Sequence, residues 1–378
     1  MKKFITLGSI SIITALLLSS CGGSSSTSTT SEPTTEVKGY QATFKSMPIV
    51  DQVEELMGGI IGIVDEVGNG KIGDPLGASI DKADTTLVES QFSWNSTMDF
   101  YNNILSVKNV WSGGLSDLVA KTHVDEAQTI TQTIDEALAL LVAISDSDAN
   151  GELSTQDLLA NNGERSFRQQ ILDSQGRVKI KMAQDKLAQL QTLFEELKPK
   201  LSPTSEDATL VNSVVDGVIV QGYQELLTQS KSLTTALSDL KESPTVANLE
   251  SARESWRDAR APWEAGEGHI FGPVDTLGVD PKVDSWPVEK SSLDGALGGY
   301  DVTLSSIDGF PVTMKGFHAM EYLLFGDGST LESAQTTLAR LQSPVGDEDS
   351  SEDKVRLTYL EALGKSFEKD ITQLVEAW

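Results

Sequence analysis

The chain has 378 residues, a formal net charge of −27, one cysteine and three histidines. So acidic a composition argues against binding nucleic-acid phosphates or adsorbing on anionic lipid, and makes cations the ligands that charge favours. A lone cysteine permits no intramolecular disulfide and no dithiol redox chemistry, while the length suffices for two domains or one large one with a sizeable core.

Lys2 and Lys3 precede an apolar run from Phe4 to Leu18, which is short for a bilayer span and reads as an export signal over residues 1–20. Leu18-Ser19-Ser20-Cys21 resembles a bacterial lipobox, which predicts a lipid on Cys21 and membrane attachment through it. Gly22, where an Asp would favour the inner membrane, predicts by resemblance to enterobacterial sorting the outer membrane of a Gram-negative bacterium. Residues 21–40 include GGSSSTSTTSEPTTE (22–36), which cannot bury a core and is predicted to be a disordered tether.

Helical periodicity dominates the remainder. Leu118, Ile130, Ile134, Leu138, Leu141 and Val142 share one face between Leu115 and Ile144, and Val211, Val214, Val215, Val218, Tyr223, Leu226, Leu227, Leu233 and Leu237 do so between Leu210 and Leu240. Residues 177–198 and 355–377 are also amphipathic. Pro199 and Pro203 bracket a break in KPKLSPTSED. The expected fold is all-α, with two helical-bundle subdomains at 41–200 and 205–378. Only GYDVTLSSIDGFPVTM (299–314) reads as a short hairpin. Residues 268–292, rich in Gly and Pro, form a long connection of the kind that often carries function.

DSDANGELSTQD (146–157) lies between two helical segments. Asp146, Asp148 and Asn150 take the first, third and fifth positions of an EF-hand loop, Gly151 the turn, Glu152 the carbonyl position and Asp157 the closing position. The spacing predicts a structural calcium site, weakened because Asp reaches less far than Glu at the close; the alternative is an ion-free turn rich in Asx residues.

No G-x-S-x-G or H-E-x-x-H motif and no phosphate-cradling glycine loop occurs. What remains is a set of carboxylates with a histidine. His318 and Glu321 stand three apart on a predicted helix and can converge on one ion; Glu264 and Glu267 repeat the spacing, and Asp284 lies in VDSWP. Such a set suits Fe, Mn or Zn. The competing reading pairs these carboxylates with Arg257 and Arg260, and places Trp256, Trp263 and Trp286 in the core. His123 and His269 have no evident partner.

Gly316-Phe317-His318-Ala319-Met320-Glu321 resembles the G-x-H-x-x-E motif of imelysin-like proteins. NLESARESWRDARAPWEAGEGHIFGPVD (248–275) and VDSWPVEK (283–290) resemble the family segment upstream of that motif. ESQFSWNSTMDFYNNILSVKNVWSG (89–113) and IVDEVGNGKIGDPLG (63–77) resemble segments that ordinarily come after it. This order implies a circular permutation, with residues 41–200 corresponding to the family's C-terminal half and 205–378 to its N-terminal half. It predicts that the helix ending at Trp378 finishes near the start of the helix around Asp51.

The resemblance implies a groove between two bundles and a role in iron uptake beside iron-transport components. By the same resemblance His318, Glu321, Glu264, Glu267 and Asp284 are the metal candidates, for iron or another divalent or trivalent ion. Arg260, Trp263, Trp286, Glu89 and Ser93 would line the groove. Binding is favoured over catalysis, since no nucleophile is evident. The alternatives are a peptidase M75-like metallopeptidase built on His318 and Glu321, and a polysaccharide- or peptide-binding protein using Arg260 and the tryptophans.

Overall fold

The computed structural model describes residues 39–295, 302–343 and 355–378. Among them all regular structure is helical, and no helix is long and apolar enough to cross a membrane. The principal helices are α1 (Tyr40–Ser46), α2 (Ile49–Asp65), α3 (Ser96–Val110), α4 (Val124–Ser145), α5 (Ser174–Leu197), α6 (Gln221–Glu242), α7 (Val246–Glu264), α8 (Gly316–Phe325), α9 (Ala334–Gln342) and α10 (Val355–Ala377).

Their boundaries follow from side chains that satisfy the free N–H groups at helix starts. Asp173 accepts from the Gly176 N–H ahead of α5, Thr245 from Asn248 ahead of α7, and Ser333 from Thr336 ahead of α9. Burial then follows the helical repeat: Ile180, Ala183, Leu187, Leu190, Phe194 and Leu197 form the inner stripe of α5, and Tyr223, Leu226, Leu233, Leu237 and Leu240 that of α6. The periodicity between Leu115 and Ile144 is broken at Lys121–His123, so that Ser116–Ala120 forms a separate turn before α4.

One group of helices pairs α4 with α5 and α3, and sets α2 against α5; the other sets α6 against α7 and α10, with α8 and α9 packed on α7 and α10. α3 and α7 also pack on each other, so the two groups share one core in which Trp111, Trp256 and Trp263 are fully buried. Three π-helical turns, Glu66–Lys71, Trp111–Leu115 and Val215–Val220, interrupt the regular helices. The start of the described residues meets the C-terminus: the Gln41 N–H donates to the Trp378 carbonyl at 2.9 Å, and the Tyr40 and Trp378 rings pack edge to face at 5.1 Å.

The hairpin expected at 299–314 is not formed in its described part; residues 299–301 lie outside the described residues. Leu304–Ile307 is a helical turn closed by a reciprocal cap between Thr303 and Ser306, and Val312–Met314 a 3-10 turn after Pro311. The local cap supplies backbone partners that a strand ladder would otherwise provide. The long connection at 268–292 contains two short helices, Pro273–Thr276 and Val279–Val283. Residues 1–38, including Cys21 and its lipobox, lie outside the described residues.

Candidate metal centre

Both helical groups supply the site. α7 brings Arg260, Trp263 and Glu264, and the turn after it brings Glu267. α8 brings His318 and Glu321, α3 brings Asp99 and Asn103, and the segment between Leu87 and α3 brings Glu89 and Ser93. Asp284 and Trp286 follow the short helix Val279–Val283, and Lys71 ends the π-helical turn after α2.

Two close approaches fix this arrangement. Gly316 has φ of +72°, and a Cβ there would lie 2.2 Å from the Val283 carbonyl oxygen, so glycine lets the start of α8 rest against the backbone that carries Asp284. A Cβ on Gly59 would lie 2.3 Å from the Gly268 carbonyl oxygen, so α2 abuts the turn that carries Glu267. The segment bearing Glu89 holds Ser90 and Trp94 at positive φ. It is pinned by the Trp94 indole donating to the Gly328 carbonyl at 3.1 Å and by Ser96 Oγ donating to the Glu89 carbonyl at 2.6 Å. Such constrained backbone persists only where the surroundings enforce it.

His318 is fully buried. Its Nδ1 lies 2.9 Å from Glu321 Oε2, and the other Glu321 oxygen accepts from the Ser93 N–H at 2.8 Å and the Ser93 hydroxyl at 2.7 Å. On the opposite side Nε2 faces Asp284 Oδ1 at 3.1 Å and Glu89 Oε1 at 3.5 Å, with no hydrogen-bond partner in line. The half-buried Trp286 ring packs on the imidazole with centroids 4.8 Å apart. Burial and the Arg260 charge push the His318 pKa down, but Asp284, Glu321 and Glu89 outweigh them and hold it well above the usual value.

Arg260, also fully buried, sits among the carboxylates. Its Nη2 lies 2.8 Å from Glu89 Oε1 and its Nε 3.3 Å from Asp99 Oδ2; it also pairs with Glu264 and with Asp284. The Trp263 indole donates to Asp284 Oδ2 at 2.7 Å. Beyond Arg260, Lys71 Nζ lies 2.9 Å from Glu267 Oε2 and 3.4 Å from both Glu264 Oε2 and Glu89 Oε1, and the Asn103 amide donates to Glu267 at 2.9 Å.

Carboxyl groups outnumber cations here, and the imbalance shows in their pKa values. Burial raises Glu89, but Lys71, His318 and Arg260 hold it at about 2. Burial opposes ionisation of Asp284 as well, yet Arg260 and His318 keep it well below the usual value. Burial pushes Glu264 up to about 8 despite Arg260 and Lys71, and burial together with Glu264 holds Glu267 well above the usual carboxylate range. At the rim, burial and Asp284 raise Asp280 to about 6.

The metal candidates therefore separate. Glu89, Asp284 and His318 can bring ligand atoms within 4.8 Å of one another, as can Glu264, Glu267 and Asp284. Glu321 instead takes the far side of the imidazole, where it orients the ring. Of the groove residues, Glu89 faces His318, Ser93 anchors Glu321, Arg260 and Trp263 lie in the core against Asp284, and Trp286 covers the imidazole. Sequence reasoning missed Lys71, Asp99 and Asn103.

His269 lies apart from the cluster, buried with Nδ1 3.1 Å from the Tyr223 hydroxyl, and burial lowers its pKa to about 4. His123 precedes α4 with Nδ1 2.8 Å from Thr122 Oγ1.

In the loop at 146–157, Asp146 accepts from the Ala149 and Gly151 N–H groups, and Asp148 and Asn150 accept from the backbone two residues on. Asp157 caps the following helical turn, each carboxylate oxygen accepting from Ser147 or Ser154. Asp146, Asp148 and Asp157 bring oxygens within 4.8 Å of one another.

These features define an all-helical protein with a histidine–carboxylate centre where two helical groups meet. The family model for Imelysin, Peptidase_M75, matches residues 23–194 and 219–378, and the chain belongs to that family. A crystal structure of an imelysin peptidase from Bacteroides ovatus superposes with a TM-score of 0.62 at 27% identity, over 77% of this chain and 86% of that one. The chain is also 37% identical over 115 residues to Iron-regulated protein A of Synechococcus elongatus, a stretch that covers 30% of this chain and 31% of that protein.

Proposed function

We propose that this protein is an exported, lipid-anchored binding protein of iron uptake, which holds a metal cation, iron foremost, at Glu89, Asp284 and His318. The observation that carries the reading is the buried Nε2 of His318, which faces two carboxylates but is aligned with neither. With Nδ1 against Glu321, Nε2 is the nitrogen available to an ion, and a bound cation would displace its proton. Imidazole with carboxylates suits iron, manganese or zinc, and the name of the Synechococcus relative favours iron. Asp280 and Glu89 are partly exposed carboxylates, which favour the approach of a cation.

Binding is favoured over peptide hydrolysis because the carboxylates around His318 are already fixed by donors. Ser93 holds Glu321, Trp263 and Arg260 hold Asp284, and Arg260 and Lys71 hold Glu89, which leaves none free to activate water. A polysaccharide platform would need exposed rings, whereas Trp263 is buried and only half-buried Trp286 reaches the rim. The lipid on Cys21, the outer-membrane location and a partnership with iron-transport components complete the proposal. The loop at 146–157 is proposed as a weak structural calcium site, supported by its spacing and by the convergence of Asp146, Asp148 and Asp157.

The permuted order is part of the same reading. It is supported by the separate family matches on either side of residues 195–218 and by the contact between Gln41 and Trp378. Joining residue 378 to residue 40 by a short linker and opening the chain between Pro199 and Pro203 should give a folded protein with parent-like circular dichroism. A chain that stays unfolded would count against the permutation.

For the metal, protein purified without chelator is analysed for bound ions, and parent and His318→Ala are titrated with iron(II) and zinc(II). The parent is expected to bind and the variant to lose most of its affinity; equal binding by the variant would remove the site. Cleavage of an unfolded protein substrate that vanishes with His318 would instead support the peptidase.

A further inference from the structure

Lys71 brings a buried positive charge into this centre beside carboxylates that the proposed ion does not take. It ends the π-helical turn Glu66–Lys71, an irregularity of the kind often found at functional sites, and its side chain is 5% exposed. Its ammonium is 2.9 Å from Glu267 and 3.4 Å from both Glu264 and Glu89. Glu264 and Glu267, with Asp284, form a second group whose oxygens lie within 4.8 Å of one another. This inner group shares Asp284 with the outer group of Glu89, Asp284 and His318.

We infer that Lys71 is a tethered cation that occupies the Glu264–Glu267 side of the inner subsite, and so confines an incoming divalent ion to the outer subsite at Glu89, Asp284 and His318. The inference rests on the metal reading and adds its selectivity element. A lysine ammonium is a compact charge with several donors, so it can sit among several carboxylates much as a small ion does. Arg260 is a poor substitute for this role: its planar guanidinium is fixed on four sides, by Glu89, Asp99, Glu264 and Asp284, and Glu267 is paired with Lys71 instead. The orphaned Nε2 of His318 shows where the ion itself is expected, because it faces the shared Asp284 and Glu89 rather than the inner pair. Lys71 touches Glu89 as well, so it competes with the ion for that ligand.

The test is calorimetric titration of the purified chain with cobalt(II), read as stoichiometry and affinity. All chains carry Asp146→Ala to remove the loop at 146–157, and the parent is then expected to bind one equivalent. Lys71→Met should bind a second equivalent, or bind the first roughly tenfold or more tightly, as expected when a like charge a few ångströms away is removed. Lys71→Arg, which keeps the charge, should retain the parent stoichiometry. If Lys71→Met does not fold, Lys71→Met/Glu267→Gln restores the charge balance and should bind one equivalent more tightly than the parent, because Glu89 no longer shares its oxygen with an ammonium. A parent that binds while the folded Lys71 variant shows the same stoichiometry and the same or weaker affinity overturns the inference alone. Parent and Lys71 variant both failing to bind overturns the metal reading with it.

Discussion

Replacing Gly316 with alanine tests whether backbone contact places Asp284 beside His318. Gly316 has φ of +72°, and the added methyl would fall 2.2 Å from the Val283 carbonyl oxygen. The left-handed conformation costs about 1–2 kcal/mol for a residue with a Cβ. Relieving the overlap requires the start of α8 to move away from Val283, a backbone shift worth about 1–3 kcal/mol in a packed interior. Together the loss of stability should be about 2–5 kcal/mol, read from urea unfolding with the midpoint lowered and the slope unchanged. Because Asp284 follows Val283 directly, the same shift should lengthen the approach of Asp284 Oδ1 to His318 Nε2, now 3.1 Å, and lower metal affinity. Stability within about 0.5 kcal/mol of the parent would refute the steric argument. A destabilised variant with undiminished affinity would refute the claim that this contact positions the ligands.

Arg260→Met should destabilise the chain by about 3–5 kcal/mol, because it leaves buried Asp99, Asp284 and Glu264 short of a cation; a loss below about 1 kcal/mol would mean that the carboxylates are neutralised another way. Glu264 is raised from 4.5 to about 8, so in the ion-free protein the stability it contributes is full below pH 4.5 and is lost as pH rises through about 8. Glu264→Gln should therefore flatten the fall in stability across that interval, and an unchanged slope in chemical unfolding at several pH values would contradict the assignment. For the loop at 146–157, calcium should raise the melting temperature of the parent and not of Asp146→Ala; no response in the parent would remove the calcium proposal.

The helical class was legible because the apolar repeats of α5, α6 and α10 are long and regular, and burial in the structure follows the same faces. His318 and Glu321 were legible as neighbours from their helical spacing, but spacing could not say that they would share one hydrogen bond rather than one ion. Glu89 lies in an irregular segment, so only the family resemblance drew attention to it, and Asp284, in an equally irregular loop, stood out only as one more carboxylate with no spacing to tie it to His318. Lys71 was hidden because a lysine in a glycine-rich stretch reads as a surface residue; the π-helical turn that carries it inward leaves no periodic trace. Asp99 and Asn103 were hidden for a related reason: on α3 they interrupt the apolar pattern and look like a solvated face, yet Arg260 and Glu264 bury them. The hairpin failed where a Thr303–Ser306 cap, visible in the sequence as T-x-x-S, outweighed an apparent alternation.

The most direct test of the central claim is anomalous diffraction from crystals of this protein grown with iron(II) or cobalt(II). The account predicts an anomalous peak at the meeting point of His318 Nε2, Glu89 and Asp284, with Glu321 still on Nδ1 and Lys71 retained beside Glu267. No peak at that position under saturating metal, or a peak confined to the loop at 146–157, would contradict it.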